Sequence, residues 1–320
     1  TGPTDGEGGS ASGVWKLEDV GYYEEEGGWP KPTLPRELYS WGQNNEGQLG
    51  QNNGNTDDLS SPVQVGALTN WASVGPGVEF AAAITTTGEL FTWGNNTSYG
   101  MLGQGDLVDR SSPVQVGALT NWSQVSGAFE FCAAIKTDGS LWTWGRAEWG
   151  RLGNNSTTLN HSSPVQVGSL TDWAFVSNQS SNCIAIKTDG TMWSWGINSN
   201  GQLGHNDTAA RSSPVQIGAL TNWSKVAMWS GGWNAIKTDG TMWACGMGQF
   251  YGAHGNNDKI NYSSPIQIGS LTNWSKIAAG SKVCSSVKTD GSLWCWGQGD
   301  DGQLGQNSTT RISSPVQVGS

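Results

Sequence analysis

One heptapeptide, Ser-Ser-Pro-Val/Ile-Gln-Val/Ile-Gly, occurs six times in this chain of 320 residues, with its proline at Pro62, Pro113, Pro164, Pro214, Pro265 and Pro315. Successive copies are 51, 51, 50, 51 and 50 residues apart. A Trp-Gly pair recurs in step at Trp41, Trp93, Trp144, Trp195 and Trp296, with Cys245-Gly246 in the fifth copy. Asn/Asp-Trp-x-x-Val/Ile appears at Trp71, Trp122, Trp173, Trp223 and Trp274. Ile/Val-Lys-Thr-Asp-Gly appears at Lys136, Lys187, Lys237 and Lys288, with Thr-Thr-Thr-Gly88 as a weaker earlier version. A fixed period of this length specifies a stack of like structural units, not one irregular core.

Each block reads as a short strand. Residues 134–145 are two β-prone runs joined by Asp138-Gly139, a strong local hairpin signal. Leu141 and Thr143 alternate with Trp142 and Trp144, so bulky groups face both sides, as in a sheet packed between two others. The Asn-Trp and Pro-Val-Gln blocks add one strand each, and proline suits the first residues of an edge strand. Four antiparallel strands every 51 residues define an all-β chain, a β-propeller of four-stranded blades with six repeats visible. The first copy holds only the last two strands of a blade, so the blocks supply 22 strands. Ring closure is expected either from a next repeat beyond Ser320 or from irregular strands within residues 14–37, giving six or seven blades.

Composition fits this reading. Leu, Ile, Val and Phe make up less than a fifth of the chain, a level seen in disordered proteins, yet 19 Trp and 47 Gly are present. Indoles between blades and glycines in tight turns account for that surplus. The formal charge of −10 argues against a nucleic-acid footprint. No apolar run is long enough for a membrane-spanning helix.

The order Leu-x-x-Trp-Gly-x-x-x-x-Gly-Gln-Leu-Gly, as in Leu38–Gly50 and Leu293–Gly305, followed by Pro-x-x-Val, resembles the repeat of the regulator of chromosome condensation family. The resemblance covers residues 38–320 and implies a propeller. The stretch Met242–Gly255 departs from it, with Cys245 for Trp and Ala-His-Gly for Gln-Leu-Gly. The histidine that the family usually places before Ala-Ile is replaced by Phe80, Phe131, Asn182, Gly232 and Val283.

Residues 1–37 form a separate acidic arm with a Gly/Ser-rich start, and residues 38–320 form the propeller. Gly13-Val14-Trp15-x-Leu17 followed by Gly28-Trp29-Pro30 resembles a short segment found in tail and virion proteins of tailed bacteriophages, which implies docking to other virion proteins through residues 14–35.

Catalytic and metal motifs do not emerge. His161, His205 and His254 fall in loops without ligands at metal spacing, so no metal, cofactor or enzymatic activity is expected. The five Cys read as small buried apolar residues. Variation among the repeats is instead confined to two loop sets, one before the Ala-Ile strand and one after Trp-Gly. These loops carry Phe80, Tyr99, Phe129, Phe131, Trp149, Trp229, Trp233, Phe250 and Tyr251, the candidate binding aromatics. Loop aromatics on a constant scaffold suit a protein or glycan partner.

The expectation at this point is a non-catalytic display module located in a virion, a structural or receptor-binding component of a tailed phage. A secreted, extracellular propeller that inhibits a protein target is the alternative, and nucleotide exchange on a small GTPase is a further one implied by the family resemblance. The family's plant ultraviolet-B photoreceptor uses Arg-paired Trp clusters, whereas this chain has 6 Arg.

Overall fold

A computed structural model describes residues 36–52, 57–248 and 252–319. Glu37–Ser320 forms one compact unit. Its strands follow the repeat blocks. β1 (Tyr39–Gly42) and β2 (Leu59–Gln64) make a two-stranded sheet, and five four-stranded antiparallel sheets follow. Blade one comprises β3 (Trp71–Pro76), β4 (Phe80–Thr85), β5 (Leu90–Gly94) and β6 (Arg110–Gln115). Blade two has β7 (Trp122–Gly127), β8 (Phe131–Lys136), β9 (Leu141–Gly145) and β10 (His161–Gln166). Blade three has β11 (Trp173–Gln179), β12 (Asn182–Lys187), β13 (Met192–Gly196) and β14 (Arg211–Gln216). Blade four has β15 (Trp223–Trp229), β16 (Gly232–Lys237), β17 (Met242–Gly246) and β18 (Tyr262–Gln267). Blade five has β19 (Trp274–Ala279), β20 (Val283–Lys288), β21 (Leu293–Gly297) and β22 (Ile312–Gln317). The first strand of each blade packs on the first strand of the next. This is the all-β propeller architecture that the repeats specify.

The Trp-Gly strand explains why blades must stack. The indole Nε1 of Trp144 donates to the Met101 carbonyl of the preceding blade at 2.8 Å. Trp93 does the same to Gln48 at 2.9 Å, Trp195 to Arg151 at 2.9 Å, and Trp296 to Ala253 at 2.7 Å. A glycine must lie under each indole: a Cβ on Gly103 would sit 2.8 Å from the Trp144 Nε1, and the φ of +68° there also favours glycine. Buried Trp144, Trp195 and Trp296 thus join apolar burial to a satisfied N–H.

A second device holds the opposite end. Asp138 Oδ1 accepts from the Ser140 N–H at 2.9 Å and the Ser140 hydroxyl at 2.6 Å, and Trp142 Nε1 donates to Ser140 Oγ at 2.8 Å. The Lys136 ammonium then lies 3.7 Å from the Trp142 ring centroid and 4.8 Å from that of Trp122. Lys237 and Lys288 repeat this at 3.5 Å over Trp243 and Trp294. Such cation–π contacts contribute about 0.5–2 kcal/mol each, and burial pulls the Lys136 and Lys237 ammoniums below their ordinary range. In blade one Thr85 replaces the lysine and Phe91 replaces the partner Trp, so the pair is lost together.

Blade four keeps the volume but moves it. In blades two, three and five a cysteine faces the framework Trp across the ladder: Cys132 with Trp144, Cys183 with Trp195, Cys284 with Trp296. In blade four the pair is Trp233 with Cys245, the same two residue types on exchanged strands. Trp233 is fully buried and meets Trp223 edge-on at 5.9 Å. The exchange gives up the indole bond, since Trp233 Nε1 has no partner while the Cys245 thiol reaches the Gly201 carbonyl at 3.3 Å. All five cysteines are free and buried, and burial pushes the Cys132, Cys183, Cys245 and Cys284 thiols up.

This exchange is testable by urea unfolding. Trp233→Cys should destabilise by about 3–5 kcal/mol through the cavity it leaves, and Cys245→Trp by about 1–3 kcal/mol through overpacking. The double variant, which restores the pattern of the other blades, should recover most of the loss. Additive losses in the double variant would refute the exchange.

Candidate functional site

Antiparallel order places both variable loop sets at one end of the sheets, because the β7–β8 turn and the β9–β10 connection lie at the same strand ends. Blade two carries the most built-up version of that end. Glu130, on the β7–β8 turn, accepts from Arg146 Nη1 at 2.6 Å and from Arg151 Nη1 at 3.1 Å. Glu148 pairs with Arg146 in turn, and the Arg151 Nε donates to the Glu148 carbonyl at 2.9 Å. The Arg151 side chain is 3% exposed, and its guanidinium faces the Phe131 ring at 5.9 Å. Arg146 stacks on Tyr99 of blade one at 4.7 Å. Burial lowers the Arg151 pKa, while the Glu130 hydrogen bond raises that of Arg146. Removing one partner of so buried a pair costs about 3–5 kcal/mol. The network therefore fixes both loops of blade two to each other and to blade one.

Between the two arginines lies a single 3₁₀ turn, Glu148–Gly150, with Trp149 at φ +64° and ψ +11°. A bulky aromatic in the left-handed region stores about 1–3 kcal/mol of strain, held here by the clamped arginines on both sides. The Trp149 indole is 49% exposed. With Glu148, Thr157, Ala210 and Ser212 it lines an open cleft of about 390 Å³. A half-exposed indole on a backbone held at both sides, beside charged and hydroxyl groups, is suited to recognition, because little loop freedom remains to be lost on binding.

The expected site residues divide sharply. Phe129 and Trp149 are exposed, and Tyr99 is half-buried beneath Arg146. Phe80 and Phe131 are buried, because each is the first inward-facing residue of its second strand and not part of a loop surface. Trp233 is core through the exchange with Cys245. Trp229 is core as well: it pairs with Gly232, and a Cβ on Gly231 or Gly232 would lie 2.5 or 3.0 Å from its ring. The indole thus fills the volume that Phe80 and Phe131 fill elsewhere. Phe250 and Tyr251 lie outside the described residues, as does the segment 14–35 expected to dock virion proteins. Two features escaped sequence reading. Val78, equivalent to Phe129, is exposed at the tip of blade one, and Arg151 replaces the glutamine of Gly-Gln-Leu-Gly.

One loop histidine, His254, is fully buried, at a position where the other repeats place leucine. Its Nε2 lies 3.0 Å from the Ile260 carbonyl, its Nδ1 has no partner, and Trp229 and Tyr262 meet its ring edge-on at 6.4 and 5.7 Å. Among the described residues no group of three His, Cys, Asp or Glu could hold a metal ion. No helix among them is long and apolar enough to cross a membrane.

A repeating framework of four-stranded blades with one variable, aromatic-bearing end defines a repeat β-propeller. The RCC1-like domain family model matches residues 33–319, and the chain belongs to that family. It is 26% identical over 290 residues to the human E3 ubiquitin-protein ligase HERC2, covering 88% of this chain and 5% of HERC2. It is 30% identical over 288 residues to the ultraviolet-B receptor UVR8 of Arabidopsis thaliana, covering 87% of this chain and 65% of UVR8. Yeast RCC1 (Prp20), solved bound to Kap60, superposes with a TM-score of 0.78 at 19% identity, covering 89% of this chain and 71% of that one. The chain thus spans less than two thirds of the length of these two sequence relatives.

These relatives overturn three expectations. They are cellular proteins of human, plant and yeast origin, which displaces both the phage structural or receptor-binding role and a virion or secreted location. The expectation that no enzyme is involved also gives way, because HERC2 is a ubiquitin ligase, although the match covers 5% of it. In this chain, lysines and not arginines stack on the paired indoles, as Lys136 does on Trp122 and Trp142.

The buried histidine gives a pH prediction. Burial lowers the pKa of His254 from its ordinary value near 6.5, so the folded state holds the ring neutral while the unfolded chain protonates it. Its contribution is therefore intact above about pH 6.5 and is lost as pH falls from there through the lowered folded value. Urea unfolding from about pH 7.5 down to about pH 5.5 should show falling stability, and His254→Leu should flatten that slope. An unchanged slope in the variant would assign the pH dependence elsewhere.

Proposed function

We propose that this chain is a protein-recognition propeller that regulates its partner by binding through the loop-bearing end, with nucleotide exchange on a small GTPase as the activity to test first. The observation that carries the reading is Trp149, a strained, half-exposed indole clamped between two buried or half-buried arginines on an otherwise repeating scaffold. Rigid aromatic anchors of this kind dominate protein interfaces. The fold neighbours favour a protein partner: yeast RCC1 was solved bound to Kap60, and Prp20p is described by its binding to Gsp1p and histones.

The test measures release of a fluorescent guanine nucleotide from a small GTPase in the presence of the chain. Acceleration is expected, and Trp149→Gly should reduce it about tenfold. The melting temperature should hold or rise, because glycine relieves the positive φ. Release that stays at the intrinsic rate at every protein concentration contradicts the exchange reading.

A further inference from the structure

Exposed apolar side chains and unpaired acidic charge coincide at the loop-bearing end of blades one and two. Val78 and Phe129 occupy equivalent turn positions on neighbouring blades and are 55% and 49% exposed. The two turns are held side by side, because a Cβ on Gly127 would lie 2.6 Å from the Gly75 carbonyl oxygen. Arg146 links the Phe129 turn to the Trp149 loop through Glu130 and Glu148, and to blade one through Tyr99. The equivalent turns of blades three and five are polar, with Ser180 and Ser181 in one and Ser281 and Lys282 in the other.

Charge follows the same division. At this end of blades one and two, and of the β1–β2 sheet before them, every arginine is engaged: Arg110 by Asp106, and Arg146 and Arg151 by Glu130 and Glu148. Glu46, Asp58, Glu79 and Asp109 carry no ion pair among the described residues, and the last three are exposed. In blades three to five, Asp207 is offset by Arg211 and Asp300 by Arg311, and the remaining loop-end acids, Asp258 and Asp301, are matched in number by Lys259 and Lys282, so this part of the end carries no acidic excess. The acidic excess of this end is therefore concentrated where the exposed aromatics are.

We propose that the contact surface is this sector together with the blade-three rim of the Trp149 cleft, Ala210 and Ser212, and that its occupant is a protein segment presenting a bulky apolar side chain flanked by Lys or Arg. The inference rests on the loop-end recognition argued above and names the partner's chemistry. Phe129, Trp149 and Val78 supply the apolar seat, where most binding energy is gained. The exposed carboxylates steer a basic segment toward it and discriminate against acidic ones.

The test uses fluorescence anisotropy with three short synthetic peptides, one carrying a Trp between Lys and Arg residues, one with that Trp replaced by Ser, and one with its basic residues replaced by Glu. The first should bind and weaken with rising salt, and the other two should bind at least about tenfold less tightly. Phe129→Ser combined with Trp149→Gly should lower affinity about tenfold, while Asn200→Ala, at the equivalent loop of blade three, should not. Equal binding of the acidic or the anchorless peptide overturns the proposed chemistry, as does no binding at all. An equal loss in Asn200→Ala overturns the sector while leaving loop-end recognition standing. Nucleotide release in the GTPase assay is read independently of these peptides, so the two readings fail separately.

Discussion

The bond from a framework indole to a carbonyl of the preceding blade is the interaction on which the rest of this structure depends. A four-stranded sheet of this size has two faces to bury and cannot stand alone in water. Trp144 solves this by spanning the gap, filling it with an apolar ring and ending on the Met101 carbonyl at 2.8 Å. The same contact fixes the loop that follows the preceding Trp-Gly strand, so the loop's geometry is set by its neighbour. Loops fixed from below can vary in sequence at their tips without loss of the fold. The clamp around Trp149 is built on this, since the Arg151 whose side chain holds Glu130 also offers its carbonyl to Trp195 at 2.9 Å.

The two ends of the sheets divide the work. At the turn end, lysines lie over paired indoles and the Asp-Gly turns meet the next blade, as where a Cβ on Gly139 would lie 2.1 Å from the Thr171 carbonyl oxygen. This end repeats with little change and is structural. At the loop end, arginines hold carboxylates, and the residues left over are the exposed aromatics and unpaired acids of blades one and two. The charge that argues against a nucleic-acid footprint in the sequence is thus concentrated at one place, where the proposed basic segment would be steered.

Strand order was legible because the repeat blocks are short, regular and separated by Gly-bearing turns, so Trp71, Trp122, Trp173, Trp223 and Trp274 each begin a first strand as their spacing implies. The exposed candidate residues were legible only where a departure from the repeat adds surface, as at Phe129 and Trp149. Departures that compensate one another inside the sheet were misleading. Trp233 looks like an added aromatic until Cys245 is seen across the ladder, and Trp229 does so until Gly232 is. His254 differs, since Ala-His-Gly in place of Gln-Leu-Gly already puts it at the repeat's leucine position, and the folded blade shows that this position is buried. The Glu130–Arg151 pair bridges residues that only the folded blade brings together, so no local pattern announces it.

The account predicts two populations of indole in one molecule, and amide-type hydrogen exchange of the ¹⁵N-labelled Nε1–H groups separates them directly. The Nε1–H groups of Trp93, Trp144, Trp195 and Trp296 should exchange only through unfolding of the blades, at closely similar rates, while that of Trp149 exchanges as fast as an exposed indole. Rapid exchange at any of those four, or protection of Trp149 equal to theirs, would contradict the claim that indole–carbonyl bonds hold the scaffold and leave Trp149 free for recognition.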